Sequence, residues 1–336
     1  MFRSFGSASI RLSPDCQGAD GSSPGAAGSQ TALALLGLRA GRCCPSRAGR
    51  ESVPQEPRRR ADRSFSLSDA VGILNDATSA DIVAALVDKS MLSHSDGSYR
   101  LLETIRHHCL DRLVERGEFD DARADHAAYI LAETRLAVAK VHGAESISGS
   151  RRVRSLFAEL RAAAHWAAET AQLDLSMDLC DAVESVVVLD LDLGALAADV
   201  DAHPHARRHQ RSLLLEGFIP NDLQLKGAPP AIDHSRQLID RFLAGERSST
   251  VAAFGPMALS YRGHYVEAVD AAEQVRSCCL TLPDGATRRY NLQAIGYLTG
   301  KPEYLAELRQ GLAVAREERS DYWIGARQRE LPPSSQ

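Results

Sequence analysis

Lysine is nearly missing from this chain. It occurs only at positions 89, 140, 226 and 301, so almost all positive charge is arginine, as a GC-rich coding bias produces. That scarcity tests one function class quickly, because a phosphate-binding loop needs glycine-supplied backbone amides followed by Lys and Ser/Thr. Only Lys301 follows a glycine, the next residue is Pro302, and Ile295 stands where the loop requires glycine, so the chain carries no such loop. The apolar run from Val186 to Leu189 before Asp190 resembles a magnesium-binding strand end, but with no phosphate loop to serve it reads as buried helix or local strand. Aromatics make up 5% of the residues against 44% hydrophobic overall, which fits alanine- and leucine-rich helical packing rather than a β-sandwich. The seven cysteines, at 16, 43, 44, 109, 180, 278 and 279, form no CxxC pair and no regular framework, so reduced structural thiols are expected. The vicinal pairs Cys43-Cys44 and Cys278-Cys279 read as small packing residues rather than a redox switch. Near the N-terminus the longest apolar run, Ala32 to Leu38, falls well short of the roughly 20 residues a membrane span needs. It also lies behind too polar a leader for a secretory signal, so a cytoplasmic protein without membrane attachment is expected.

What is present is unevenly distributed. The net charge of -5 hides ten Arg against five acids in residues 1–64, which leaves 29 bases against 39 acids beyond them. An acidic body argues against a nucleic-acid face. Residues 1–64 also hold eight Gly, ten Ser and five Pro without periodicity, so they are expected to be disordered. Text of this kind is also what GC-rich DNA gives in a wrong reading frame.

Regular patterning begins at Phe65. Ser66 or Ser68 can cap a short helix carrying Ala70, Val71, Ile73 and Leu74, and Ser79 with Asp81 opens a second carrying Ile82, Val83, Leu86 and Val87. Met91 and Leu92, then Ser95-Asp96-Gly97, then Tyr99 to Leu102 spell a hairpin, because Asp-Gly supplies the positive φ of a tight turn. Thr104 can cap the next helix, with Ile105, Cys109, Leu110 and Leu113 at helical spacing and Gly117 at its end. An alanine-rich helix is expected over Ala122 to Ala139 and a loop over Gly143 to Ser150. Next comes an amphipathic helix whose face carries Val153, Leu156, Phe157, Leu160, Ala164 and Ala167. Asp199 to Pro230 carries four Pro and reads as a loop-rich insertion or a degraded repeat. The tail after Gln328 is expected to fray.

The stretch Leu86 to Ala137 resembles the winged-helix arm that follows the nucleotide-binding core in actinobacterial STAND-type (NB-ARC-like) ATPase transcriptional regulators of the LuxR type. A second resemblance lies in Leu160 to Ala167, similar to the helix that opens the TPR-like region of those regulators. A third, Ala258 to Val269, is similar to one TPR hinge, with Gly263 at the turn and Tyr265 and Ala268 in the second helix. Neither the ATPase core nor the DNA-binding helix-turn-helix is found in the chain. The resemblance implies a mainly α fold: a winged helix with one β-hairpin at 65–118, a linking helix and loop at 119–150, a TPR-like antiparallel array at 151–325 with the insertion near 199–230, and a tail at 326–336.

By that resemblance the chain is a regulatory module for sensing and docking, with no catalysis of its own. ATP and magnesium are expected only in the complete family architecture, so no cofactor is expected here. Two alternatives stand beside it: a free-standing TPR-like protein-binding adaptor, and an ATP-binding LuxR-type regulator truncated by a frame or start error. The partner is a protein or the missing nucleotide-binding domain. Direct DNA binding is not expected, since the helix before the wing carries Asp81 and Asp88 against Lys89 where a groove-entering helix needs cations and amides. Candidate interaction residues are Lys89, Arg100, Glu103, Arg106, His126, Tyr129, Arg161 and Trp166. His203, His205 and His209, near Asp199 and Asp201, form a weak candidate metal set without the spacing of known zinc motifs. His107-His108 read as surface or packing histidines. No Gly-x-Ser-x-Gly elbow occurs, and an enzyme is not expected.

Overall fold

The computed structural model describes residues 64–74, 78–186, 189, 191–225, 232–281, 291–292, 294–296, 298–317 and 319–328. It is mainly helical with one small antiparallel sheet. The expected disorder of the leader, the end of the insertion at 226–230 and the frayed tail lie outside these residues, apart from Ser64. The chain divides into two compact units, one up to His126 and one from Ala127, and the division falls within a single long helix.

The first unit runs β1 (Ser64–Ser66), α1 (Leu67–Leu74), α2 (Ser79–Asp88), β2 (Leu92–Ser95), β3 (Ser98–Leu101) and α3 (Glu103–Arg116). Ser66 is the residue that starts α1: its hydroxyl accepts the Asp69 amide at 3.1 Å while the Asp69 carboxylate accepts the Ser66 amide at 2.9 Å. This reciprocal cap satisfies two helix-end donors at once. The hairpin turns at Asp96 and Gly97, with φ of 50° and 74°, the left-handed pair that a two-residue turn requires.

The sheet is larger than the sequence suggested. β1 pairs antiparallel with β3, Phe65 opposite Tyr99, so the order is β1-β3-β2 and Ser64 belongs to the fold rather than to the leader. A three-residue strand is too short to show a period, and only its pairing defines it. The third strand gives the hairpin the support that two strands alone lack. Thr104 is not a cap: α3 begins at Glu103, with Leu102 as N-cap and no side-chain cap bond. Strand β3 ends at Leu101, one residue earlier, so Thr104 is already helical. The inward face of α3 keeps three of its four expected residues. Arg106, Cys109, Leu110 and Leu113 are buried, whereas Ile105 is only half-buried. Burial pushes the Cys109 thiol up to about 11, which keeps it protonated and inert.

The second unit lies along α4 (Phe119–His142, counted from Ala127), α5 (Ser146–Glu169), α6 (Leu173–Glu184), α7 (Leu193–Asp201), α8 (Ser212–Leu225), α9 (Ile232–Leu243), α10 (Ser249–Tyr261), α11 (Tyr265–Cys279), α12 (Pro302–Glu317) and α13 (Asp321–Gln328). The expected loop at 143–150 shrinks to three residues, because α5 already starts at Ser146. Gly149 explains why: a Cβ there would stand 2.6 Å from the Val141 amide and 2.7 Å from the Ala137 carbonyl, so glycine lets the two helices close backbone to backbone. The predicted apolar face of α5 is buried at Val153, Leu156, Leu160, Ala164 and Ala167, with Phe157 at its edge.

Residues 199–225 are not the loop-rich stretch expected from their composition. They hold the end of α7, a 3-10 turn at Ala206–Arg208 and all of α8. Val186 and Leu189 are buried at a turn and a 3-10 residue, not in a strand, while residues 187, 188 and 190 lie outside the described set.

A buried polar junction ties α6, α8 and α10 together. The Glu184 carboxylate accepts the Ser248 hydroxyl at 2.7 Å, the Thr250 hydroxyl at 2.9 Å and the Thr250 amide at 3.2 Å. A carboxylate at a helix N-terminus satisfies donors that would otherwise be orphaned. Gly217 leaves room for this cluster, since a Cβ would stand 2.7 Å from the Ser248 hydroxyl. Farther along, the array closes on itself: Trp323 stacks on His142 at 5.3 Å, and the Tyr322 hydroxyl donates to the Ser185 carbonyl at 3.2 Å. These contacts join elements far apart in sequence rather than chain neighbours.

Among the described residues no helix is long and apolar enough to cross a membrane.

Candidate functional site

The residues picked from the sequence divide into those inside the fold and those on its surface. Arg106, His126 and Trp166 are buried at 5%, 1% and 6% exposure, which takes them out of reach of a partner. Arg106 is held by the Glu103 carboxylate at 2.6 Å. Arg161 is engaged with Asp199 at 2.6 Å, and the half-buried Tyr129 hydroxyl accepts a long bond from Arg152 at 3.4 Å. Lys89, Arg100 and Glu103 are exposed.

The three candidate metal histidines do not converge. His203 Nε2 faces His165 Nδ1 at 3.3 Å, His209 Nε2 faces Asp174 at 3.2 Å, and His205 is exposed. Asp199 and Asp201 are taken by Arg161 and Arg207. Burial, with His165 next to it, holds His203 below the usual histidine range. Among the described residues no group of three or more His, Cys, Asp or Glu is placed to hold a metal ion. Cys279 is buried and Cys278 half-buried within α11.

Among the described residues a cavity that combines apolar lining with convergent charge lies between α9 and α11, where the sequence placed no candidate. It measures about 660 Å³, within the usual range of binding clefts. Helical spacing builds its walls. Arg236, Ile239, Asp240 and Leu243 line it from α9, while Val266, Glu267, Asp270 and Gln274 line it from α11. Leu259 of α10 lies at the base, and Gly263, with φ of 86°, reverses the chain so that α11 can pack back beside α10.

Across this groove the Arg236 guanidinium makes a two-pronged bond to Glu267, at 2.6 and 2.8 Å, and a third contact to Asp233 at 3.1 Å. His264 Nδ1 approaches the same Glu267 at 3.3 Å. The hydrogen bond from Arg236 holds the Glu267 carboxyl below the usual range, against the opposing effect of burial. Both groups are well exposed, so the pair orients the rim more than it stabilises the fold. Beside it Val266 and Tyr265 are 79% and 66% exposed, an apolar pair that the fold itself does not cover.

A different signal could have located this site in the sequence. In α11 Val266, Asp270 and Glu267 fall within about a third of the helix circumference, which places an exposed apolar group and two carboxylates on one outward face. The resemblance put Tyr265 in the second helix of a TPR pair and gave no reason to examine α9.

Against family models, curated proteins and solved structures, the chain has no match, so the functional argument rests on its own residues.

Proposed function

We propose that the chain is a docking and signal-relay module, the regulatory interaction part of a STAND-type transcriptional regulator, with no catalysis of its own. The observation that carries this reading is the α9–α11 groove, where an uncovered apolar pair sits beside ordered charge on a rigid helical frame. Proteins dock segments into such grooves by burying apolar anchors inside a polar rim.

The winged-helix assignment for residues 65–118 is supported by the order helix, helix, hairpin, helix, with β1 closing the sheet. The TPR-like assignment for the second unit is supported by the hairpin of α10 and α11 around Gly263 and by the small buried residues of α5. The partner in this reading is a protein, the family's nucleotide-binding domain included, and the location is cytoplasmic. A free-standing adaptor is the second reading. It is favoured by the return of α13 to His142 of α4 and to Ser185 at the end of α6.

The test is a peptide-display selection on the purified chain, counter-selected on the Val266→Asp variant. The docking reading expects enriched sequences that bind the wild-type chain and lose binding with Val266→Asp. Sequences that bind both equally, or no enrichment at all, would contradict it.

A further inference from the structure

The groove contains more negative charge than it uses. Its lining carries three carboxylates, Asp240, Glu267 and Asp270, against one guanidinium, Arg236. That guanidinium is already held by Glu267 and by Asp233 outside the groove, so it has little charge left for the other two acids. Asp240 on α9 and Asp270 on α11 are exposed, and their carboxylates have no partner among the described residues. The two acids therefore flank the apolar strip of Ile239, Leu243, Leu259 and Val266 from opposite helices.

We propose that the groove takes a basic amphipathic segment of a partner protein, its apolar side chains packed along Val266, Leu243 and Leu259 and its Arg or Lys residues set between Asp240 and Asp270. This rests on the docking reading above and adds the chemistry of the partner. An apolar anchor alone would leave both carboxylates uncompensated at the rim. An acidic segment would meet like charge from both walls, which costs affinity and rejects the wrong partner. A nucleic-acid backbone is repelled for the same reason. A helical segment suits a groove walled by two helices, because residues at i, i+3 and i+7 project one apolar stripe with cations on either side.

Three labelled helical peptides test this by fluorescence anisotropy on the full chain: one with leucines at i, i+3 and i+7 and arginines between them, its glutamate-for-arginine counterpart, and its serine-for-leucine counterpart. The leucine–arginine peptide is expected to bind best. Its affinity should fall roughly tenfold in the Asp240→Asn/Asp270→Asn variant, the sum of two exposed ion pairs, and the fall should shrink at high salt. Val266→Asp should weaken it further still. All three positions are exposed, so the variants keep the fold, and an unchanged circular dichroism spectrum and melting temperature verify this.

If the glutamate peptide binds as tightly while Val266→Asp still abolishes binding, the charge reading is overturned and the docking reading survives. If the serine peptide binds as well as the leucine one, the attraction is to the acidic body at large and the proposal fails. Binding of the leucine–arginine peptide that survives Val266→Asp would remove both readings, and no binding of any peptide overturns this proposal.

Discussion

Helices α4 and α5 meet in the opposite way from helices α9 and α11. In the first pair Gly149 removes a side chain so that the backbones close directly. In the second pair the long side chains of Arg236 and Glu267 reach across an open groove, and Val266 stays in water. A helical array can thus assign stability and recognition to different helix pairs. Sealed pairs hold the frame, and the open pair presents a surface on it.

The strongest way to break the sealed side is to empty it. Leu160 is fully buried, so Leu160→Ala is expected to cost about 2 to 5 kcal/mol in urea unfolding. Leu110→Ala and Leu101→Ala should cost a similar amount, about 2 to 5 kcal/mol, in the unit that holds the sheet. Losses near zero at these sites would mean that the described cores are misplaced. Gly149→Ala comes next, at about 1 to 3 kcal/mol, because backbone atoms and not flexible side-chain ends stand where the methyl would go. A neutral result would show that α4 and α5 do not pack at that crossing.

The Glu184 junction gives a smaller, pH-dependent effect. Burial raises the Glu184 carboxyl above the ordinary range, and the bonds from Ser248 and Thr250 offset only part of this. The folded chain then holds that proton more tightly than the unfolded chain does. From the ordinary carboxylate range up to the raised value, this group makes stability fall as pH rises. Glu184→Gln should flatten that part of the stability profile, measured by thermal melts across the mildly acidic range. Identical profiles for the two proteins would contradict the assigned direction. The smallest effect on stability belongs to the open pair: Val266→Ser should change it by no more than about 0.5 kcal/mol, since the side chain has little to lose.

Local chemistry explains which parts of the fold were legible in the sequence. The turn at Asp96-Gly97 announces itself because few residue pairs accept two successive positive φ values. The apolar face of α5 is readable because Val153, Leu156 and Leu160 repeat at the helical period. By contrast β1 exists only through its pairing with β3, and Phe65 and its partner Tyr99 are 34 positions apart, too far for any local pattern to link them. The start of α5 was hidden because Gly149 serves a contact with α4, whereas glycine and serine after a long helix ordinarily suggest irregular chain. Histidine, proline and arginine made 199–211 look solvated, yet Asp199 and His203 are turned toward α5 through Arg161 and His165. The groove depends on two helices separated by all of α10. No spacing rule links Arg236 to Glu267, and the resemblance to regulators directed attention to the winged-helix stretch instead.

The most direct measurement is hydrogen exchange across the whole chain, with and without the tightest peptide from the display selection. The account predicts added protection confined to α9 and α11, with α4 and α5 unchanged because they are already sealed. Protection that falls on the sheet or on α4 and α5, with α9 and α11 unaffected, would contradict it.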